Sequence, residues 1–520
     1  MSKFLRGTMI LIVAGLITRV LGFVNRIVVA RVIGGEGVGL YMMAMPTLVL
    51  AITITQMGLP VAISKLVAEA EAVGDRQRVK QILVVSLTMT GILSVIFFPA
   101  MILLAPFLSQ TLFTDPRTYY PLIAIAPVVP IIAISSVLRG YFQGKQQMKP
   151  YAYSQLLEQI VRISLIAICT KALLPYGIEY AAAGAMLSSV IGEFASLLYL
   201  LYMFKLKKSM KVRAKFFQYV KAGKQTFISL MRIALPTTGS RLIGSLSWFL
   251  EPIVVANSLA IAGVATTLAT KQYGQLTGYA LPLLMLPSFI TYSLSTSLVP
   301  AISEAAAQKQ TLLVEHRIQQ AMRLSLVTGG LSVVVLYVFA EPLMLLMYGT
   351  SEATHFVKVM APFFLFYYFQ GPLQAILQSL DLAKAAMTNS LIGAAVKIAC
   401  IFALATQPNL GIMGAALAIA INTVLVTLLH FATVVKAVSY SVYVSEYAKT
   451  CLSIMAAGAA GYISFHHTFV MFSLPMRTLA AIAVTTTVYL LLLIIFQLMK
   501  REELAQIPAI GAFFAKKNRK

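Results

Sequence analysis

The stretch GLITRVLGFVNRIVVARVIGG (15–35) decides how the whole chain is read. It is apolar enough to enter a bilayer, yet it carries Arg19, Arg26 and Arg31. An arginine at the bilayer centre costs about 2.5–3.5 kcal/mol on insertion scales. A membrane segment that accepts three of them must turn them away from lipid or hold them near its ends.

The rest of the chain supports a membrane reading of that stretch. Of 520 residues, 59% are hydrophobic and only 11% are charged, against about 25% charged in a soluble domain. The apolar excess gathers in runs such as VVSLTMTGILSVIFFPAMILLAPFL (84–108) and LAAIAVTTTVYLLLLIIF (479–496). Each is long enough to cross a ~30 Å hydrocarbon core as a helix. The expected fold class is an all-α polytopic membrane protein.

A net charge of +24 raises the question of nucleic acid. Nucleic-acid binders gather their basic residues on one folded face, whereas here Lys and Arg sit mainly in short loops between apolar runs. That is the arrangement that orients membrane proteins, with the basic loops in the cytoplasm. No nucleic-acid partner is expected. The basic, then apolar, N-terminus lacks a small-x-small cleavage site and is interrupted by Arg19, so it reads as an uncleaved first span.

About fourteen apolar segments are expected, near 8–33, 38–64, 82–109, 119–138, 151–174, 178–204, 227–256, 274–303, 318–347, 356–380, 386–405, 411–435, 446–465 and 475–498. When the loops are assigned alternately to two sides, the side holding both termini collects 29 of the 41 Lys and Arg, and the other side six. Both termini are therefore expected in the cytoplasm of a multi-pass cell-membrane protein.

The halves of the chain repeat. PVAIS (60–64) matches PAIS (300–303) at an offset of 239, where Gly39 also meets Gly278. Ala126-Pro127 pairs with Ala361-Pro362 at 235, as does Arg162 with Lys397, and TRVLG (18–22) faces SRLIG (240–244) at 222. Each repeat holds six spans, an even number, so the two share one orientation; transporters built this way place the substrate between the halves. The expected organisation is an N-terminal lobe at 1–206, a basic cytoplasmic linker at 207–225 and a C-terminal lobe at 226–437. Two further spans and a basic tail follow at 438–520.

Arg19 and Arg26 are seven apart and so share a helix face; Arg241 is the repeat counterpart of Arg19. Facing lipid, the three would cost roughly 8–10 kcal/mol. They are expected instead to line a watery cleft and meet a multiply charged anion, which makes them the candidate substrate-binding residues. Arg31 lies near a span end, where snorkelling to the interface suffices. Besides Arg232, close enough to the basic loop to reach the cytoplasmic interface, five more charges fall within spans: Glu158, Arg162, Glu193, Glu251 and Lys397. Arg162 follows Glu158 by four, so an ion pair neutralises both, and a functional role stays equally open. Glu251, directly before Pro252, and Glu193 are candidates for ion or proton coupling or for structural pairing. Prolines 46, 60, 236, 252, 282, 287 and 300 crowd the first spans of each half, where bent helices are expected.

No enzymatic constellation is present. GYFQGKQ (140–146) is one residue short of a phosphate loop and lacks its Ser or Thr. GGEGVG (34–39) follows no strand and reads as an interhelical turn. The three cysteines and five histidines show no disulfide or metal spacing, and no cofactor is expected.

Several stretches resemble a known family: FLRGTMILIVAGLITRVLGFVNRIVVAR, GVGLYMMAMPTLVL, GLPVAISKLVAEA, PIIAISSVLRGYFQGKQQM and LGIMGAALAIA. With the 6 + 6 + 2 plan, they resemble the polysaccharide-transporter branch of the multidrug/oligosaccharidyl-lipid/polysaccharide (MOP) exporter superfamily. RGYFQGKQQM is the most specific of them. The resemblance implies two six-helix lobes working by alternating access. It also implies export of a lipid-linked saccharide diphosphate, a peptidoglycan precursor for the spore cortex. In related flippases arginines face the central cavity, a role that falls here on Arg19, Arg26 and Arg241. Membrane lipids and cell-wall synthesis proteins are the implied partners. A cation-coupled drug antiporter and a non-transporting scaffold for cell-wall enzymes remain alternatives; the first calls for an acidic cavity, the second for no arginines within the membrane.

Overall fold

The computed structural model describes residues 3–207, 216–438 and 444–498. Residues 208–215 of the expected basic linker and all of the basic tail after 498 lie outside the described residues. Every regular element described is helical, as the composition requires: in hydrocarbon, backbone N–H and C=O groups must bond within their own segment.

The first run, Lys3–Gln56, turns at a single residue, Gly34 (φ 65°, ψ −176°), a backbone conformation open to glycine and costly for other residues. The turn expected over GGEGVG is therefore shorter than its sequence, because Gly35 onward is helical again. A second break at Met57 and Gly58, both with positive φ, precedes helix Leu59–Ala72, which has Pro60 in its first turn. Past the midpoint, Lys224–Ile261 contains Pro236 and Pro252. The next expected span is divided into Thr266–Gly274, a wide π-type turn Gln275–Ala280, Leu281–Met285 and Ser288–Ala307. The prolines and glycines thus interrupt the early spans of both halves.

Among the described residues, nine helical stretches are long and apolar enough to cross a membrane. Val13–Ala72 is one of the nine, although it contains both of the first two expected spans. Met148–Leu173, Thr354–Ser379 and Val444–Ile463 are helical and of spanning length but too polar to count among them. Fourteen remains the expectation of the sequence pattern; the all-α, multi-pass architecture is what the structure displays.

The chain forms two compact units. The first comprises Met1–Pro282 with Ala394–Ala418, and the second Leu283–Gly393 with Ile419–Lys520. A core of the first unit joins Leu59, Ile63, Val67, Ile82, Val137, Phe142, Leu200 and Leu230. A core of the second joins Ile302, Ile318, Met322, Leu373, Ile376 and Val434. Helix Leu474–Ile495 is tied to Thr311–Val338 by Tyr489, whose hydroxyl donates to the Val327 carbonyl at 3.0 Å.

RGYFQGKQQM (139–148) proves to be a packing device. Gly140 and Gly144, four apart on helix Val128–Gly144, press against helix Leu59–Ala72. A Cβ on Gly140 would lie 2.8 Å from the Pro60 carbonyl oxygen, and one on Gly144 2.7 Å from that of Ser64. Small residues at this spacing let membrane helices approach closely. Between them Tyr141 and Phe142 fill the core, and Lys145 closes the end on Glu71 at 3.0 Å. The faint likeness to a phosphate loop is thereby explained. Gly144→Leu should destabilise the chain by about 1–3 kcal/mol through overpacking; an unchanged unfolding midpoint in detergent would contradict the seam.

Candidate functional site

Helix faces decide what the membrane arginines meet. At about 100° per residue, the exposed Val13, Ile17, Val20 and Val24 form one stripe roughly 60° wide. These are the side chains that suit lipid. Arg19 and Arg26 lie roughly 20° apart and some 130–150° around the helix from the middle of that stripe. Arg31 falls on the stripe itself, near the Gly34 turn, where it can reach the interface. Towards that turn, the arginine face is buried at Ala30 and Ile33; Arg26 is half-buried and Arg19 exposed. The face is covered at one end and open toward the start of the chain.

Arg241 repeats the pattern. It is exposed, yet within roughly 40° of it on helix Lys224–Ile261 stand buried Leu230, Ala234, Ser245 and Leu259. Of its exposed apolar residues, Ile228, Leu235 and Leu246 lie roughly 120–140° from Arg241, whereas Phe227 falls within roughly 40° of it. Helices Lys3–Gln56 and Lys224–Ile261 pack against each other. Arg19 and Arg26 thus share a face turned from the exposed apolar stripe of their helix, and Arg241 is exposed on a face otherwise lined largely by buried residues.

The other five charges are drawn into two buried groups. Glu251 and Lys397 meet at 2.7 Å, both largely shielded. Glu158 pairs with Arg162, and Glu193 stands 3.0 Å from Arg139, which also reaches Glu158 at 3.3 Å and the Ser196 hydroxyl at 3.0 Å. Two carboxylates and two guanidiniums thus balance between helices Val128–Gly144, Met148–Leu173 and Ile178–Lys207. The repeat counterparts Arg162 and Lys397 are both neutralised, each by a carboxylate within reach. Sequence reasoning missed Arg139. The apolar run ends at Leu138, so Arg139 was placed with the loop charges, although its helix continues to Gly144.

A third cluster lies in the first unit, beside the turn at Gly34. Arg117 bridges Glu36 and Asp115, and the Thr270 hydroxyl donates to Asp115 at 2.7 Å. Beneath it, backbones meet without side chains between them. A Cβ on Gly39 would lie 2.0 Å from the Thr270 carbonyl oxygen, and one on Gly274 2.1 Å from that of Gly35. Gly278, the repeat partner of Gly39, packs on Val38, and the Tyr279 hydroxyl donates to the Ala30 carbonyl. Burial pushes the Asp115 carboxyl upward, but hydrogen bonds from Arg117 and Thr270 outweigh it and hold the group below its ordinary range.

The sign of the linkage follows from that depressed value. The Asp115 contribution is fully present above about pH 4, the ordinary aspartate range, and is lost as pH falls through the folded value. Asp115→Asn should therefore raise hydrogen exchange in peptides covering 34–42 and 266–280 at neutral pH. The unmodified chain should match it only below about pH 4, after correction for intrinsic rates. Equal exchange in both proteins at neutral pH would show that the carboxylate holds nothing closed.

The sequence places this architecture in a family. Residues 4–306 match the family model described as polysaccharide biosynthesis protein. The chain belongs to the polysaccharide biosynthesis protein family. Residues 252–402 also match the MatE model. The chain is 64% identical to Stage V sporulation protein B of Bacillus subtilis (strain 168), over 98% of both chains. It is 26% identical to Lipid II flippase MurJ of the same organism, over 76% of each. Among solved structures, lipid II flippase MurJ in an inward closed conformation superposes with a TM-score of 0.69 at 16% identity. That match covers 93% of this chain and 98% of the other. An inward-facing MATE family transporter of the MOP superfamily gives 0.66, also at 16%, covering 81% and 94%. At such identities the structural likeness speaks for the fold. With its long apolar helices and this family match, the chain is a multi-pass membrane protein.

Proposed function

We propose that the chain is an alternating-access flippase that exports a lipid-linked anionic saccharide, a peptidoglycan precursor used for the spore cortex. The observation that carries this reading is the placement of Arg19 and Arg26 on a face turned from the exposed apolar stripe of their helix, with exposed Arg241 on a helix packed against it. Arginine suits a diphosphate because its planar fork donates two parallel hydrogen bonds to phosphate oxygens. The lobes are 1–206 and 226–437, the linker and both termini are cytoplasmic, and the protein resides in the cell membrane. The relatives named for sporulation and for lipid II flipping support the choice of cargo.

In this scheme the Asp115 cluster and its glycine seam close the outer side while the arginine face opens toward the cytoplasm. The saccharide diphosphate enters, its charges are met by the arginines, and the seam parts to release it outside. An inside-negative potential favours outward passage of each negative charge by about 2.3 kcal/mol per 100 mV. An antiporter of organic cations fits less well, because the water-open charges on these internal faces are basic. The two buried ion-pair groups, Glu251–Lys397 and Arg139–Glu158–Glu193–Arg162, fix helix positions within the fold.

Native mass spectrometry tests the binding half of the proposal. A polyprenyl-diphosphate saccharide added to the full chain should be retained by the unmodified protein. It should be lost from a folded Arg19→Ala/Arg26→Ala/Arg241→Ala variant. Equal retention by both, or by neither, would remove the arginine site and advance the antiporter or scaffold reading.

A further inference from the structure

A cavity of about 510 Å³ opens in the first unit, where Arg78, Gln81, Tyr219, Gln225, Thr226 and Ser229 line it. Three chain segments form its walls: the start of helix Arg76–Phe107, the short helix Phe216–Lys221, and the start of helix Lys224–Ile261. Leu66 of helix Leu59–Ala72 completes them. None of Arg19, Arg26 and Arg241 lines it, so it is separate from the proposed transport site.

Its chemistry is that of an anion site. Residues 75–82 and 216–229 together hold five basic residues and one acidic one. The acidic one, Asp75, also lines the cavity, but it is committed to capping its helix, accepting from the Arg78 N–H at 2.9 Å. Lys80 sits behind the wall with its ammonium 4.7 Å from the centre of the Tyr219 ring. Gln81 donates to the Ala222 carbonyl at 2.9 Å and ties two walls together. Helix Lys224–Ile261 begins at Gly223 with no side-chain cap, and its positive end faces the same space through Gln225 and Thr226. Volumes of 300–1,000 Å³ are typical of small-ligand sites.

The surroundings point to lipid. Phe217 on the short helix is 80% exposed, and Phe227 and Ile228 on the next helix are also exposed. A polar cavity with one guanidinium in its wall, bordered by outward apolar side chains, matches the boundary between headgroups and acyl chains. Basic residues at such a boundary attract anionic lipid by about 1 kcal/mol each.

We propose that this cavity binds the phosphate-bearing headgroup of an anionic phospholipid, with the acyl chains lying along Phe217, Phe227 and Ile228. A soluble phosphate ester shares the headgroup chemistry, and the experiment separates the two sources. The full chain in detergent is titrated with dioleoylphosphatidylglycerol, dioleoylphosphatidylcholine or sn-glycerol 3-phosphate and followed by native mass spectrometry. One phosphatidylglycerol should be retained under activation that strips phosphatidylcholine. Thr226→Trp, which fills the space without changing charge, and Arg78→Ala/Gln225→Ala should each weaken that retention about tenfold, the loss of one charge-assisted contact. Lys309→Ala/Arg317→Ala, which removes two exposed charges from the second unit, should leave it unchanged. Displacement of the lipid by sn-glycerol 3-phosphate alone, sensitive to the same variants, would support the phosphate site and overturn the lipid source. Equal retention across all four proteins, or no preference for phosphatidylglycerol, would overturn the proposal.

Discussion

Reconstituted in liposomes, an Arg19→Ala/Arg26→Ala/Arg241→Ala variant is expected to translocate a lipid-linked saccharide diphosphate at least about a hundredfold more slowly than the unmodified chain. A hydrogen bond to a charged partner contributes about 1.5–3 kcal/mol, and each 1.4 kcal/mol is tenfold. Three such contacts acting on one headgroup are not additive, so a hundredfold is the lower bound that the geometry requires. Lysine at the same three positions keeps the charge and loses the bidentate fork. That variant should recover part of the rate, and the size of the recovery separates attraction from alignment. A fluorescent substrate with an impermeant quencher gives the readout. Rates unchanged by alanine would mean that the water-open face carries no cargo, however well its arginines avoid lipid.

The second large effect concerns stability. Arg139→Met strands Glu193 and leaves Glu158 with Arg162 alone, and breaking a buried pair typically costs 3–5 kcal/mol. The loss is expected in unfolding by sodium dodecyl sulfate titration, well beyond that of a surface arginine. The informative protein is the double variant Arg139→Met/Glu193→Leu. Replacing a buried ion pair with apolar side chains of similar volume is often neutral, and here Arg162 and Glu158 still balance each other. Most of the lost stability should return. If the double variant is as weak as the single one, Arg139 acts through packing of its stem and not by neutralising Glu193.

How these charges divide shows what a single sequence can reveal. The seven-residue spacing of Arg19 and Arg26, and the repeat that pairs Arg241 with Arg19, were readable because helix geometry turns spacing into a shared face. The i,i+4 relation of Glu158 and Arg162 was readable for the same reason. Arg139 was not: its partners lie 19 and 54 residues away, and the apolar run that marks its helix stops one residue earlier. Lys397 and Glu251 are separated by 146 residues, and their pairing depends on how helices pack, which periodicity does not encode. The glycines of RGYFQGKQQM could have been taken as a seam from their four-residue spacing alone. What they press against becomes visible only when Pro60 and Ser64 are seen beside them. Likewise Asp115 and Thr270, 155 residues apart, meet because a loop and the helix Thr266–Gly274 converge at one end of the spans.

The bare-backbone contact of Gly39 with Thr270 and of Gly274 with Gly35 has a consequence for how a carrier avoids leaking. Side chains that slide past one another trade partners gradually, so a door built from them can stand ajar. Two peptide backbones in direct touch fit at one register only, and a shift of an ångström or two forfeits the whole contact at once. In the proposed cycle, the outer closure therefore behaves as a toggle and not as a valve. Time spent half open, when ions and water could run down their gradients beside the cargo, is confined to the crossing itself.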